Sequence, residues 1–349
     1  MRIALFLGAA LCAASALADL PAPSGDTIVD PKAKLEKLFT RTAKISGGLT
    51  EGPAVGPDGC IYFSDIPMGK DAGMILKFDP KTKETTVFTD DSFKSNGLIF
   101  DHDGHLLACE GADYGNRAIG RWNVKTKTHT IVADKYKGKR FNAPNDIALD
   151  SKGRIYFSDP KYVGPEPREQ EYRSVYRVDK DGTVVEVTHD VAKPNGIELS
   201  PDEKTLYVAD HDNGTDRIDP TAPAPKKGPM KIYAFPLGAD GLVSGPKKEI
   251  YDYGDQAGCD GMTVDTAGNI YLTSRGEKRP GVIVITPAGK ELAFIPTGAP
   301  DQKGNVVGLP SNVEFGLGDE ANVLYITVDL SLYRIPLKTK GYHVQYKGK

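Results

Sequence analysis

Six polar residues recur in phase along this 349-residue chain: Glu51, Asn96, Asn145, Asn195, Asp260 and Asn312. Each opens a copy of one motif, in which a short alternating stretch, a polar turn and a second, more apolar run follow in order. All six carry a side-chain oxygen. Asn and Asp favour turns and strand ends, where they bond their own backbone. That preference explains one or two such positions, but not a phased set with two carboxylates among amides. Oxygen donors of this kind suit a hard cation. Ca²⁺ accepts several carboxylate and amide oxygens, with water completing its shell. Zn²⁺ more typically recruits His or Cys, and the six include neither; Zn²⁺, Mg²⁺ and Mn²⁺ are the alternatives. Without an ion, such groups would crowd like charge and unpaired amides together, which is unfavourable.

The copies cover 51–65, 96–110, 145–159, 195–210, 260–274 and 312–329, at intervals of about 45–65 residues. Two period-2 runs around an Asp/Gly turn read as a β-hairpin. Further strands fall between copies, such as 74–78 with 85–88 and 174–178 with 183–187. Each period therefore holds about four strands, which is the size of a propeller blade. No long helical pattern interrupts. The expected fold is all-β, a six-bladed β-propeller with four antiparallel strands per blade, in one domain over residues 35–349. The last copy lacks a good fourth strand after 332–335, so residues 35–46 are expected to complete the sixth blade and close the ring. The longest interval contains 213–229, rich in Pro, Gly and Lys. It reads as a loop inserted after the second strand of blade four.

In a propeller the innermost strand of each blade lines a central channel, so the six motif starts converge on one mouth. The second strands end on the same face, at Asp65, Glu110, Asp159, Asp210, Ser274 and Asp329. Most of these read as strand-end caps. Asp210 stands out because His211 and the long insertion follow it.

Composition limits the partners. Lys plus Arg number 44 and Asp plus Glu 47, for a net charge of −3. No basic excess exists to hold nucleic acid or an anionic membrane. Arg2, the apolar stretch 3–17 and the small residues Ala16 and Ala18 read as a signal peptide over residues 1–18, followed by an N-terminal extension, 19–34. The stretch is short for a membrane span. The expected address is periplasmic or secreted, with no membrane anchor after cleavage. Cys60, Cys109 and Cys259 then remain, an odd number in apolar contexts. Buried unpaired thiols are expected, and a single disulfide is the alternative.

Several segments resemble the regucalcin/gluconolactonase family in its bacterial gluconolactonase branch. They are Glu51-Gly-Pro53, Asn142-Ala-Pro-Asn-Asp146, Tyr156-Phe-Ser-Asp-Pro160, Lys193-Pro-Asn-Gly196, Cys259-Asp-Gly-Met262 and the run 324–335. They occur in the family's order over about residues 40–338. The resemblance implies a six-bladed propeller with one divalent metal, lactone hydrolysis, and organophosphate hydrolysis in relatives. It implies Glu51, Asn145, Asn195 and Asp260 as the metal ligands. Asn96 and Asn312 are left as channel-lining or substrate contacts. Two segments depart from the family pattern: Val55 stands where an aromatic is common, and 111–117 lacks the usual His and paired arginines.

The implied chemistry is ring opening of a sugar-type lactone, with the metal as Lewis acid and water as nucleophile. Asp210 is the expected general base and Asp260 the alternative. Arg117, Tyr172, His211 and Arg275 are candidate substrate contacts on the same face. A serine mechanism lacks its signature, since no G-x-S-x-G elbow occurs. Two other readings share these residues: a non-catalytic, calcium-stabilised propeller that binds a saccharide or protein partner, and an organophosphate or aryl-ester hydrolase.

Overall fold

The computed structural model describes residues 20–42, 48–214, 226–302 and 307–347. The proposed signal peptide and part of the blade-four insertion, 215–225, lie outside the described residues. Six four-stranded antiparallel sheets follow one another along the chain. Blade one is Leu49–Val55, Ile61–Ile66, Met74–Asp79 and Glu84–Thr89. Blades two to five repeat that order and begin at Ser95–Phe100, Ile147–Leu149, Pro194–Leu199 and Met262–Val264. Blade six takes three strands from the C-terminal region, Pro310–Phe315, Val323–Val328 and Ser331–Pro336. Its fourth is the N-terminal strand Glu36–Thr40. The ring is closed as expected, by hydrogen bonds between two distant parts of the chain.

Apolar residues on both faces of a strand are what hold such a ring together. Ile61 and Phe63 pack toward blade six, whereas Tyr62 between them packs toward blade two. A middle strand is thus buried on both sides and reads as a continuous apolar run. One apolar cluster fills each of the blade interfaces. Between blades one and two it contains Ala54, Tyr62, Phe88, Phe100, Leu106 and Trp122. Cys60, Cys109 and Cys259 are buried and unpaired. The long insertion leaves blade four between Thr205–His211 and Met230–Pro236, the second and third strands.

The C-terminal segment after blade six was not foreseen. It crosses the end of the channel opposite the motif starts. Tyr342 N donates to Val264 O of blade five, and the Tyr346 hydroxyl donates to Val55 O of blade one. His343 lies beneath the channel, 3.7 Å from Glu314 Oε1. Among the described residues, no helix is long and apolar enough to cross a membrane.

Candidate metal centre

The inner strands approach one another closely at the channel mouth. Gly97 N donates to Asn145 O, Gly196 N to Asp260 O and Gly261 N to Ser311 O, each at 2.7 Å. At these three positions the residue after the motif start is glycine, and a larger one would not fit. A Cβ on Gly196 would fall 2.3 Å from Asp260 O, and one on Gly261 would fall 2.0 Å from Asn312 Cγ. Bulges in blades one and four, at Glu51/Ala54 and Pro194/Ile197, turn the chain where Glu51 and Asn195 stand.

This bonding pattern corrects the register of blade six. Ser311, not Asn312, is the equivalent of Asp260. The hairpin turn there closes through Gly316 N to Val323 O, around a longer loop with a 3₁₀ turn at Gly318–Glu320. The extra loop residues displaced the sequence alignment by one. Asn312 lies one position deeper in the channel. Its Nδ2 faces Asp146 Oδ1 at 3.4 Å and its Oδ1 accepts from Val313 N. It does not line the mouth cavity.

Glu51, Asn145, Asn195 and Asp260 do line one cavity, of about 310 Å³, together with Asn96, His211 and Arg275. Asn195 Nδ2 donates to Asp260 Oδ1 at 2.8 Å. Arg275 Nη1 lies 3.1 Å from Asp260 Oδ2. Glu51 Oε2 accepts from Gly52 N at 2.9 Å. Burial first, and then the charge of Asp260, pushes the Glu51 carboxyl well above the ordinary carboxylate range. Asn195 Oδ1 is buried with no hydrogen-bond partner. A buried orphan oxygen costs about 1–3 kcal/mol, and two neighbouring carboxylates repel. A divalent cation among these oxygens would relieve both, and the all-oxygen donor set is of the type that calcium takes. The residues present therefore fit such an ion.

Other expected site residues lie elsewhere. Asp210 accepts from Ala192 N at 3.1 Å and Lys193 N at 3.0 Å. Both carboxylate oxygens are committed to the backbone, and the residue is not part of the cavity wall. This corrects the expectation that it reaches an attacking water. Asp159 and Asp329 are bound in the same way, by the amides of Asn142 and Ala143 and of Gly308 and Leu309. Asp159, Asp210 and Asp329 are thus anchors for the loop that enters the inner strand, whereas Asp65 pairs with Arg41 and Glu110 meets His129 and Asn116. Arg117 is buried outside the cavity, where its guanidinium holds Phe141 O at 2.8 Å and Pro167 O at 3.3 Å. Tyr172 is exposed and stacks on His189, with ring centroids 4.2 Å apart. Neither meets the cavity.

Three buried lysines were missed. Lys94 Nζ donates to Pro67 O and Gly69 O, at 2.9 and 2.7 Å. Lys161 Nζ donates to Val163 O and Gly164 O, at 2.7 and 2.9 Å. Lys193 Nζ donates to Asn213 Oδ1 at 2.9 Å and sits 4.3 Å from the Tyr162 ring centroid. Each fixes a loop at the cavity rim. A signal existed for two of them, since Lys94-Ser-Asn-Gly and Lys193-Pro-Asn-Gly share one spacing within the repeat.

Asp101, Asp103 and His105, in a hairpin turn on the opposite face, bring possible ligand atoms within 4.8 Å of one another. These three could also hold an ion. However, Asp101 Oδ1 already accepts from Asp103 N and His105 N. The same Asx turn recurs at Asp150 and Asp265, so the geometry is that of the repeated turn.

A family model for the SMP-30/gluconolactonase/LRE-like region matches residues 49–329. The chain belongs to that family. It is 30% identical to a gluconolactonase of Zymomonas mobilis over 341 residues, covering 91% of this chain and 85% of the relative. A gluconolactonase structure from Xanthomonas campestris superposes with a TM-score of 0.72 at 26% identity, covering 92% of this chain and 95% of that one. A regucalcin from Agrobacterium tumefaciens, described as calcium-binding, shares the fold at a TM-score of 0.65 and 19% identity, covering 89% of this chain and 96% of that one. This propeller is accordingly a hydrolase of the lactonase/gluconolactonase family, and a small-molecule lactone is the substrate class that the family implies.

Proposed function

We propose that this propeller is a divalent-metal-dependent lactonase that opens a sugar-type lactone. In this reading Glu51, Asn145, Asn195 and Asp260 hold the ion, with Ca²⁺ as the first choice. The observation that carries it is the buried, unpartnered Oδ1 of Asn195, in one cavity with Glu51 and Asp260. The relatives' names supply the substrate class. We further propose that the protein works in the periplasm or outside the cell, on the strength of residues 1–18.

The ion, when bound, supplies Lewis acidity to a carbonyl oxygen. The chain supplies the rest. Leu49, Ile66, Met68 and Val163 form an apolar wall that can cover the carbon face of a sugar ring and exclude water. Asn96 and Arg275 present hydrogen-bonding groups to the same space. The Arg275 guanidinium, beside Asp260, is placed to donate to substrate hydroxyls or to the carboxylate product. The cavity lies at the small end of the usual range for ligand pockets, about 300–1,000 Å³, which suits a monosaccharide-sized ring.

The test is hydrolysis of a panel of γ- and δ-lactones, with aryl esters and organophosphates alongside, before and after chelation. Lactone turnover that disappears with the metal supports the reading. Tight metal binding with no turnover of any lactone would instead favour a binding protein, and turnover of only the other esters would move the substrate class.

A further inference from the structure

His211 ends the second strand of blade four, and its side chain enters the mouth cavity. Its ring is held in one tautomer. Nδ1 lies 2.9 Å from the backbone oxygen of Cys259. A carbonyl oxygen can only accept, so Nδ1 carries the hydrogen, and in a neutral ring Nε2 is then a bare acceptor. Nε2 has no hydrogen-bond partner among the described residues. The backbone is fixed as well, because the Tyr162 hydroxyl donates to His211 O at 3.1 Å. Cys259 immediately precedes Asp260, so the bond to its carbonyl ties the imidazole to the strand entry that carries a proposed ligand.

The carboxylates near the site are already engaged, Asp113 among them through Gly69 N. Asp210 is bound by two backbone amides. Asp260 meets Asn195 and Arg275, and Glu51 meets Gly52 N. Burial holds the imidazole below its ordinary value. Asp260 draws it up, whereas Arg275 and Lys193 push it down, and Tyr162 packs edge-on at 6.2 Å. Burial thus favours the neutral ring.

Resting on the lactonase reading, we propose that His211 Nε2 is the general base that takes a proton from the attacking water. As that proton moves to Nε2, the water oxygen bonds to the carbonyl carbon and the carbonyl π pair moves to its oxygen. On collapse that pair re-forms the carbonyl, the ring C–O bond breaks, and the departing ring oxygen takes the proton back from His211. One lactone and one water become one hydroxy acid, and the imidazole returns to its starting state.

Two variants test this in the metal-loaded protein. His211→Asn places an amide nitrogen near the position of Nδ1, and so keeps a donor for Cys259 O while removing the base. His211→Ala leaves a space for added imidazole. The expected result is that both lose about 10²- to 10⁴-fold in kcat. Calcium affinity by calorimetry stays within about twofold, and imidazole restores the Ala variant about tenfold but not the Asn variant. In the wild-type protein, histidine ¹⁵N spectra should show a neutral ring protonated on Nδ1; this measurement needs no variant to fold. Turnover of His211→Asn within about threefold of wild type, or an Nε2-protonated ring, overturns the assignment while leaving the lactonase reading intact. A loss of calcium affinity that tracks the loss of activity also overturns it, because the residue would then act on the ion. Absence of lactone turnover in the wild type removes both readings.

Discussion

Asn195 donates through Nδ2 to Asp260 Oδ1 at 2.8 Å, and this bond leaves its own Oδ1 buried and unsatisfied beside the same carboxylate. The pair joins blades four and five across the channel mouth. Its donor end is satisfied by the protein and its acceptor end is not. Asp260→Asn tests the arrangement with little change of shape. Removing one of two carboxylates should lower calcium affinity at least about 100-fold, since ligand charge sets affinity in such sites. Calorimetric titration of wild type and variant reads this directly, and lactone turnover should fall with it.

Glu51 adds a pH dependence to that affinity. Burial and the charge of Asp260 raise its pKa, so in the metal-free protein it keeps its proton at a pH where an exposed glutamate has lost it. The cation must displace that proton. Calcium affinity should therefore weaken as pH falls, starting above the ordinary carboxylate range, with proton release on binding that grows as pH falls, up to one per ion. Titrations in buffers of different ionisation enthalpy count the protons. Glu51→Gln should abolish most of the release.

Other buried carboxyls, Glu198 among them, act on stability. Burial pushes Glu198, deeper in the channel, up to about 8 from an ordinary value of 4.5. Between those values the folded chain holds a proton that the unfolded chain has released, so stability falls as pH rises through the window. His343 runs the other way: burial holds it down to about 4, so its contribution rises with pH from about 4 to 6.5. Glu198→Gln isolates the first effect. The variant should match wild type near pH 4.5 and exceed it at pH 8.5 by on the order of 1–2 kcal/mol. The gain is smaller than for a fully enclosed site because Glu198 is only half-buried. Thermal melts at the two pH values decide it.

The repeat made the fold legible because every blade needs the same alternation and the same turn chemistry. Its Asp/Gly turns and doubly buried strands, such as Ile61–Ile66, are local features. The convergence of Glu51, Asn145, Asn195 and Asp260 on one cavity was legible for the same reason, since symmetry brings equal positions to one mouth. What failed was non-local. Asn312 was misplaced by one residue because a longer hairpin loop altered the count. Asp210 looked like a free carboxylate, and its bonds to the Ala192 and Lys193 amides depend on how the loop entering the strand folds back. The buried lysines were unreadable singly, because a lysine's burial depends on which carbonyls a neighbouring loop presents.

Those lysines should shape binding more than chemistry. Lys94→Met would leave Pro67 O and Gly69 O without their donor and loosen the rim that carries Ile66 and Met68. The lactone KM should rise about 5- to 50-fold, with kcat changed by less than about threefold, in keeping with loss of about 1–2 kcal/mol of uniform binding. Steady-state kinetics on a substrate accepted by the wild type separates the two.

Ring closure through the N-terminal strand carries a large share of the stability. Glu36–Thr40 pairs along Ser331–Arg334, and Phe39 packs edge-on against Phe63 at 5.5 Å. Deleting residues 20–40 exposes the edge of blade six and the apolar surface beneath it. The melting midpoint should drop by at least about 10 °C, and aggregation should follow. Calorimetry of the truncated and the untruncated chain measures this.

The central claim is tested most directly by stripping the protein with chelator and titrating calcium back while lactone turnover is followed. Turnover should vanish on stripping and return in proportion to calcium, saturating at one ion per chain. Turnover that survives complete removal of divalent metal would contradict the account, whatever the substrate.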